Sequence, residues 1–346
     1  MKALLLSEYR KLQMVDLPLP EPADGEIVVR VAACGICGSD VHGYDGSSGR
    51  RIPPLVMGHE AAGIVARVGN AVDNFREGDR VTFDSTIYCG ECLYCRRGTV
   101  NLCDRREVLG VSCGQYRRNG AFAEFVVVPA RIAYQLPANL SFPEAALLEA
   151  VSVALHAVSL PRIAPGSAAL VVGAGTIGLL IQQALKVAGC SQIFVTDVDA
   201  NRLALSQSLG ATSVLLSGPS LAQDVLKATY GIGVDVAVEA VGNTPAVQSA
   251  ISCVRKGGDV VLVGNVTPEV TIPLQRVVSC QITLYGSCAS SGEYPRAIEL
   301  LSNGQIKVKP LISAIAPLSE GPQWFERLYG RERGLLKVVL DPGANG

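Results

Sequence analysis

Four cysteines fall between positions 89 and 103 as Cys89-x2-Cys92-x2-Cys95-x7-Cys103, with glycines at 90 and 98. Thiolates so close along a chain can converge on one tetrahedral ion, with Zn–S bonds of about 2.3 Å. A zinc closed by four thiolates has no position left for substrate. Its work is therefore structural, fixing a lobe too small to hold its shape by packing. An iron–sulfur cluster is the rival occupant of such spacing, and disulfides would require an oxidising compartment.

A second set of donors is scattered: Cys37 and Ser39 in Gly35-Ile-Cys-Gly-Ser-Asp-Val-His42, His59 and Glu60 in Met57-Gly-His-Glu60, and Glu149 in Leu147-Leu-Glu-Ala150. Thiolate, imidazole and carboxylate all suit a catalytic zinc, which takes protein ligands while keeping one position open. Spacing alone does not gather them. Taken singly, His59 reads equally as a turn histidine, Glu149 as a surface carboxylate on a helix, and Cys37 as a small core residue.

The third feature is Leu170-Val-Val-Gly173-Ala-Gly175-Thr176-Ile177-Gly178, an apolar run that passes into GxGxxG and then a helical pattern. Gly173 permits the tight turn, Gly175 lets backbone approach a pyrophosphate, and Gly178 lets the helix pack closely. The helix start at Thr176 and Ile177 offers free N–H groups to phosphate oxygens. Asp197 ends the next apolar run, where a carboxylate accepts from ribose hydroxyls, which favours NAD over NADP. Val198 stands where a 2′-phosphate would want a basic residue, but Arg202, itself a candidate cofactor contact, is close enough to complicate that inference. Asp197 has an alternative role as a cap for the helix that starts near Asp199. Val241, Val263, Gly264 and Ser287 lie near the ends of later apolar runs, where open α/β sheets bind cofactors.

Elements must position these groups. Residues 1–154 are rich in glycine, proline and short β-type runs such as Glu26–Ala32 and Ala121–Val128, which predicts a mostly β, loop-rich domain. From Ala168 the runs become continuous and apolar (Ala168–Val172, Gln192–Thr196, Val234–Glu239, Asp259–Val263) and alternate with helical stretches. That pattern predicts a parallel sheet covered on both faces, over residues 155–285. The tail 286–346 must then pack elsewhere.

The 346 residues are 49% hydrophobic and 18% charged, with formal net charge −1, so the chain is globular and offers no basic face to nucleic acid or anionic lipid. The N-terminus Met1-Lys-Ala-Leu-Leu-Leu-Ser7 is too short an apolar run for a secretory core or a membrane span. Eleven cysteines, several of them unclustered, suit a reducing compartment and predict a cytoplasmic protein.

As a set and in order, Gly35-Ile-Cys-Gly-Ser-Asp40, Gly58-His-Glu60, the four-cysteine lobe and Val172-Gly-Ala-Gly-Thr-Ile-Gly178 resemble the zinc-containing medium-chain alcohol dehydrogenases. Within that family the chain looks most like the sorbitol (L-iditol) dehydrogenase branch, and the resemblance covers almost its whole length. It implies an α/β protein in which residues 1–154 and 286–346 form a GroES-like, mostly β catalytic domain, with the structural zinc lobe at 89–103. Residues 155–285 would form a Rossmann domain, a doubly wound parallel sheet that binds NAD.

The resemblance also implies roles. Cys37 and His59 become ligands of a catalytic zinc. Glu149 stands where the alcohol dehydrogenases proper carry a cysteine, and Glu60 is the other carboxylate; which of the two binds directly stays open. Ser39 would accept the substrate proton and pass it through the cofactor ribose to His42, which gives it to solvent. Two zinc ions, NAD, a small alcohol substrate and a dimer or tetramer complete the picture.

Some positions depart from the polyol branch: Ala150 for a proline, Gly43 for a tyrosine, and Ala289-Ser290 for an Arg-Tyr pair that contacts polyol. The reaction class carries over, a secondary alcohol oxidised to a ketone, while sorbitol itself does not. Threonine 3-dehydrogenase and simple secondary-alcohol dehydrogenases are the alternatives, and Ser39 and Glu149 speak against the former, which carries threonine and aspartate there. Cys37, Ser39, His42 and His59 together argue against a non-catalytic nucleotide-binding protein. A zinc-free quinone reductase would lack these ligands and the lobe.

Overall fold

The computed structural model describes residues 1–114 and 116–344. The chain divides into two compact units, one of Met1–Glu149, Tyr294–Ser302 and Leu311–Gly346, the other of Ala150–Glu293 and Asn303–Pro310.

The first unit is built on a seven-stranded sheet in which Ala133–Gln135, Arg80–Phe83, Glu60–Val68, Glu26–Gly35, Lys337–Asp341 and Ile312–Pro317 lie side by side in that order. Phe125–Pro129 pairs separately with Glu26–Gly35. Glu26–Gly35 is thus the hub, with antiparallel partners in Glu60–Val68, Phe125–Pro129 and Lys337–Asp341. Its alternation of Ile27, Val29 and Val31 into a core that includes Leu4, Leu6, Met57, Phe83, Phe122 and Phe325 holds the register, because a one-residue slip would turn that row outward. Two irregularities in its pairing with Glu60–Val68 twist the ladder on the way to Gly35.

The second unit is a six-stranded sheet with every pair parallel, in the order Ser213–Leu216, Gln192–Asp197, Ala168–Val172, Val234–Glu239, Val254–Leu262 and Thr283–Gly286. Helices connect the strands, and the central strands are buried throughout, which is why they read as unbroken apolar runs. The two outermost strands escape that reading. Ser213–Leu216 and Thr283–Gly286 are short and half-exposed, as edge strands with a neighbour on one flank can be. Val254–Leu262 begins five residues ahead of its apolar part, because Arg255-Lys-Gly-Gly258 interrupts the hydrophobic signal without interrupting the strand.

The seams lie at Glu149/Ala150, Glu293/Tyr294, Ser302/Asn303 and Pro310/Leu311. Residues 303–310 belong to the second unit, where Gln183 accepts from Lys307 N at 2.8 Å and donates to Lys307 O at 3.1 Å. The helical stretch Phe142–Ser159 has the length and mean hydropathy of a membrane span, yet 61% of it is buried inside the protein, as befits a core helix.

Candidate functional site

Register builds the first site. Gly35 pairs with Glu60, so the chain leaving one strand through Cys37 passes the residues that open the next, His59 and Glu60. The donor atoms of Cys37, His59 and Glu60 come within 4.8 Å of one another. His59 and Glu60 are buried and Cys37 is half-exposed. Gly35 has to be small here, since a Cβ on it would stand 2.4 Å from a Glu60 carboxylate oxygen.

Charged groups wall the cluster. Lys337, first residue of the strand Lys337–Asp341 and 2% exposed, donates from Nζ to both Glu60 oxygens at 2.8 and 2.6 Å and to Ile36 O at 3.1 Å. Burial works against the Lys337 charge, but Glu60 and the nearby Cys37 outweigh it and raise the pKa. On the other side Asp40, fully buried, accepts from Cys37 N at 3.3 Å and from Arg51 Nε and Nη2 at 3.3 and 3.2 Å. Its Oδ1 lies 3.3 Å from His59 Nδ1, close enough for charge attraction but not aligned as a hydrogen bond, which leaves Nδ1 without one. Burial would raise the Asp40 pKa; His59 and Arg51 more than offset it and hold it at about 2. His59 moves the opposite way, with burial opposing its charge and Asp40 and Cys37 raising its pKa well above the usual imidazole value.

Ser39 and His42 are exposed on the helix Gly38–Tyr44, one turn apart. Ser39 Oγ is 3.4 Å from His59 Nε2 and accepts from Arg51 Nη2 at 3.2 Å. Glu149, on the helix Leu148–Ser159, stands outside the 4.8 Å set. Burial pushes its pKa to about 7, with His59 opposing and Glu60 and Asp84 reinforcing the rise. The chemistry of this donor set fits a divalent cation. Thiol, imidazole and carboxylate donors converge within 4.8 Å, and a dication among them would offset the charge of the carboxylates buried there.

Two of these wall residues carried no signal of their own in the sequence. Arg51 sits beside a second arginine in a loop, and Lys337 is one lysine at the head of the run Lys337-Val-Val-Leu-Asp341, 277 positions from Glu60. Asp40 lay inside the quoted Gly-Ser-Asp motif, but only the folded chain shows that it backs His59.

The second cluster is the lobe. The sulfurs of Cys89, Cys92, Cys95 and Cys103 all lie within 4.8 Å of one another, with Cys92 to Cys95 at 3.5 Å and Cys89 to Cys95 at 3.9 Å. The short helix Leu93–Arg96 puts Cys92 at its cap and Cys95 one turn on. Cys92 N donates to Cys89 Sγ at 3.4 Å and Cys89 N to Cys103 Sγ at 3.3 Å. Backbone N–H groups of Glu91 and Cys92 draw the Cys89 thiol down to about 6, whereas burial pushes Cys95 up to about 12. N–H groups aimed at sulfur suit thiolates gathered for one tetrahedral ion, and all four cysteines are free of disulfides.

The second unit holds the glycine turn. Gly173 has φ +100°, and a Cβ on Gly178 would stand 1.8 Å from Gly173 O, so the helix Thr176–Val187 seats directly on the turn. Around Gly175 there is open space. Thr176 and Ile177 start the helix and are half-buried. Asp197 accepts from Ala174 N at 2.6 Å and from Asp199 N at 2.9 Å, two of the roughly four acceptor positions of a carboxylate, leaving capacity for hydroxyls. Asp199, not Asp197, caps the next helix, accepting from Asn201 and Arg202 N. Arg202 is half-buried in that first turn, and Val198 is 80% exposed.

The remaining strand ends are tied together by a residue the sequence reading passed over. Glu239, fully buried, accepts from Val241 N and Gly242 N at 2.7 Å each through Oε1, and its backbone carbonyl accepts from Val263 N and Gly264 N. Ser287 N donates to Leu262 O at 2.9 Å. Val241, Val263, Gly264 and Ser287 are therefore gathered by these bonds at the carboxyl edge of one parallel sheet, the edge at which such sheets bind ligands.

One unit thus carries two clusters of metal-ligand type and the other a glycine turn at the carboxyl edge of a parallel sheet. Residues 23–138 match the alcohol dehydrogenase GroES-like domain and residues 176–303 the zinc-binding dehydrogenase domain. The chain is 34% identical to sorbitol dehydrogenase of Bacillus subtilis (strain 168) over 99% of its length and 97% of that protein's. It is 36% identical to L-idonate 5-dehydrogenase of Vitis vinifera, over 88% of this chain and 83% of that one. A zinc-binding dehydrogenase of Sinorhizobium meliloti 1021, solved with NADP bound, superposes with a TM-score of 0.90 at 32% identity, covering 99% of both chains. The chain belongs to the zinc-type alcohol dehydrogenase family, whose members are oxidoreductases acting on CH–OH groups with a nicotinamide cofactor.

Proposed function

We propose that this chain oxidises a polyol or sugar alcohol at a secondary hydroxyl to the ketone, with NAD as hydride acceptor. The observation that carries the reading is the mixed Cys37–His59–Glu60 set with Ser39 beside it. Cys37 and His59 would hold a catalytic zinc together with Glu60 or Glu149, and the four lobe cysteines a structural one. When bound, the first zinc supplies Lewis acidity to the hydroxyl and the nicotinamide takes the hydride.

The chain's own residues do the rest. Ser39 Oγ receives the hydroxyl proton, and His42, exposed one helical turn on, delivers it to solvent. Asp40 holds the far side of the His59 ring by charge, and Lys337 holds Glu60. Gly173, Gly175 and Gly178 cradle the pyrophosphate with Thr176 and Ile177, and Arg202, Val241, Val263, Gly264 and Ser287 contact the rest of the cofactor. Asp197 accepts from the adenosine ribose, and the exposed Val198 gives a 2′-phosphate no cation; both support NAD over NADP. The relatives named for sorbitol and L-idonate support a polyhydroxylated substrate. A cytoplasmic homo-oligomer, dimer or tetramer, completes the reading.

The test is a panel of polyols, sugar alcohols, simple secondary alcohols and L-threonine, each assayed with NAD and with NADP, alongside zinc per chain. NAD-linked oxidation of a polyol by protein holding two zincs is the expected result. A fully metallated, cofactor-binding protein that oxidises no alcohol would reject the reading, and a preference for NADP would reject the role given to Asp197.

A further inference from the structure

Arg51 is a buried cation, 4% exposed, that belongs to none of the metal or cofactor motifs. Its guanidinium forks. Nε and Nη2 donate to Asp40 Oδ1 at 3.3 and 3.2 Å, Nη2 also donates to Ser39 Oγ at 3.2 Å, and Nη1 donates to Arg50 O at 3.2 Å. The stem lies in a hollow that only glycine provides. A Cβ on Gly43 would stand 2.0 Å from Arg51 Cγ and 2.8 Å from its Cβ. Gly43 and Ser39 share the helix Gly38–Tyr44, so Arg51 is seated on that helix by its stem and grips it again by its head.

We propose that Arg51 is a positioning residue for proton removal from the substrate. The inference rests on Ser39 being the proton acceptor. A serine hydroxyl has two lone pairs and one hydrogen. Arg51 occupies one lone pair; with His59 Nε2, 3.4 Å away, taken up as a metal ligand, the other is left for the incoming hydroxyl and the Ser39 hydrogen turns towards the next acceptor. As the substrate O–H bond breaks and a new O–H bond forms at Oγ, the original Ser39 proton departs along the relay to His42 and from there to solvent; Arg51 stays protonated throughout, its charge steadying the oxygen during the exchange. The fork matters because one rigid group fixes Ser39 and Asp40 together, which an ammonium on a flexible stem does not do.

Two variants test this in the full-length, zinc-loaded chain. Arg51→Lys keeps a cation beside Asp40 but removes the fork, and Gly43→Ala keeps the guanidinium but displaces its stem. Each should lower kcat roughly 10- to 100-fold, the usual cost of losing a partner that orients an active-site group. The KM for the cofactor and zinc per chain should stay at wild-type values, while the solvent deuterium isotope effect on kcat increases because proton removal has become slow. Loss of zinc from Arg51→Lys would overturn the proposal, since Arg51 would then act through Asp40 on the metal ligands. Wild-type kcat and isotope effect in Arg51→Lys would also overturn it. Ser39→Ala separates the two levels: if it is slow while Arg51→Lys is normal, only the role of Arg51 falls, and if it turns over normally, the reading of Ser39 falls with it.

Discussion

The four-thiol lobe and the Cys37–His59–Glu60 cluster are both gathered donor sets, yet they are made in different ways. The lobe draws its ligands from one short segment, and a single turn of helix with glycines on either side brings them together. Its cysteines other than Cys103 are partly exposed. The mixed cluster draws on a strand end, a loop and a strand start, and its register is imposed by a hydrophobic core. Behind it stand buried charges, Lys337, Asp40 and Arg51, each hydrogen-bonded to a group that must not move. An ion closed in by the four lobe thiolates would only hold a shape. The cluster, with different donors and an exposed serine and histidine beside it, can hold an ion and leave room for chemistry.

Removing a ligand from each is the sharpest way to break that comparison. Cys37→Ser or His59→Ala should cost more than the roughly 100-fold that loss of a partner behind a ligand costs, and should empty the site while cofactor binding, measured by fluorescence titration, survives. Full activity in either variant would refute the assignment. Next in size is the wall. Lys337→Met leaves Glu60 buried without its cation, and urea denaturation should register a loss of about 3–5 kcal/mol. Adding Glu60→Gln to it should recover part of that loss, because the uncompensated charge is gone. A single variant as stable as wild type would mean the pair contributes no structure.

How much of this was legible in the sequence follows the same contrast. The lobe is local, so its spacing announced it, and the folded chain brings all four sulfurs together. The glycine turn and the central parallel strands were legible because full burial demands unbroken apolar runs. Edge strands such as Ser213–Leu216 face no such demand and left no trace. The donors of the mixed cluster were visible one by one, but only a family pattern linked them, since nothing about Cys37 specifies that Gly35 will pair with Glu60. Arg51 and Lys337 were invisible for a further reason. A buried cation is recognised by its partner, and a partner is set by tertiary packing, on which composition and periodicity are silent. Gly43 showed itself as an odd residue at its position, and its cause, the stem of Arg51, appeared only in three dimensions.

Cys95→Ser tests the lobe's side of the comparison. Zinc should fall to about half of its wild-type content, because a site with three thiolates binds far more weakly than one with four. Few side chains are buried there, so unfolding of the lobe stays local, and the melting temperature should drop by roughly 2–4 °C, the response of a domain of this size to about 1 kcal/mol. Turnover per remaining catalytic zinc should not change. A collapse of turnover at full catalytic-zinc occupancy would show that the lobe does more than hold its own shape.

The smallest expected effect belongs to His42, and it separates residues that bind from residues that only ferry. His42 is exposed, so water can reach the same position and take over part of its work. His42→Gln should therefore lower kcat by less than the roughly 100-fold at the lower end of general acid–base catalysis. Small exogenous bases such as imidazole should restore part of the rate, since the site is open to solvent. Zinc content and stability should match wild type, because the His42 side chain is no part of the cluster's wall. A loss as large as that of His59→Ala, with no rescue by added base, would move His42 from the proton's exit route into the group that holds the site together.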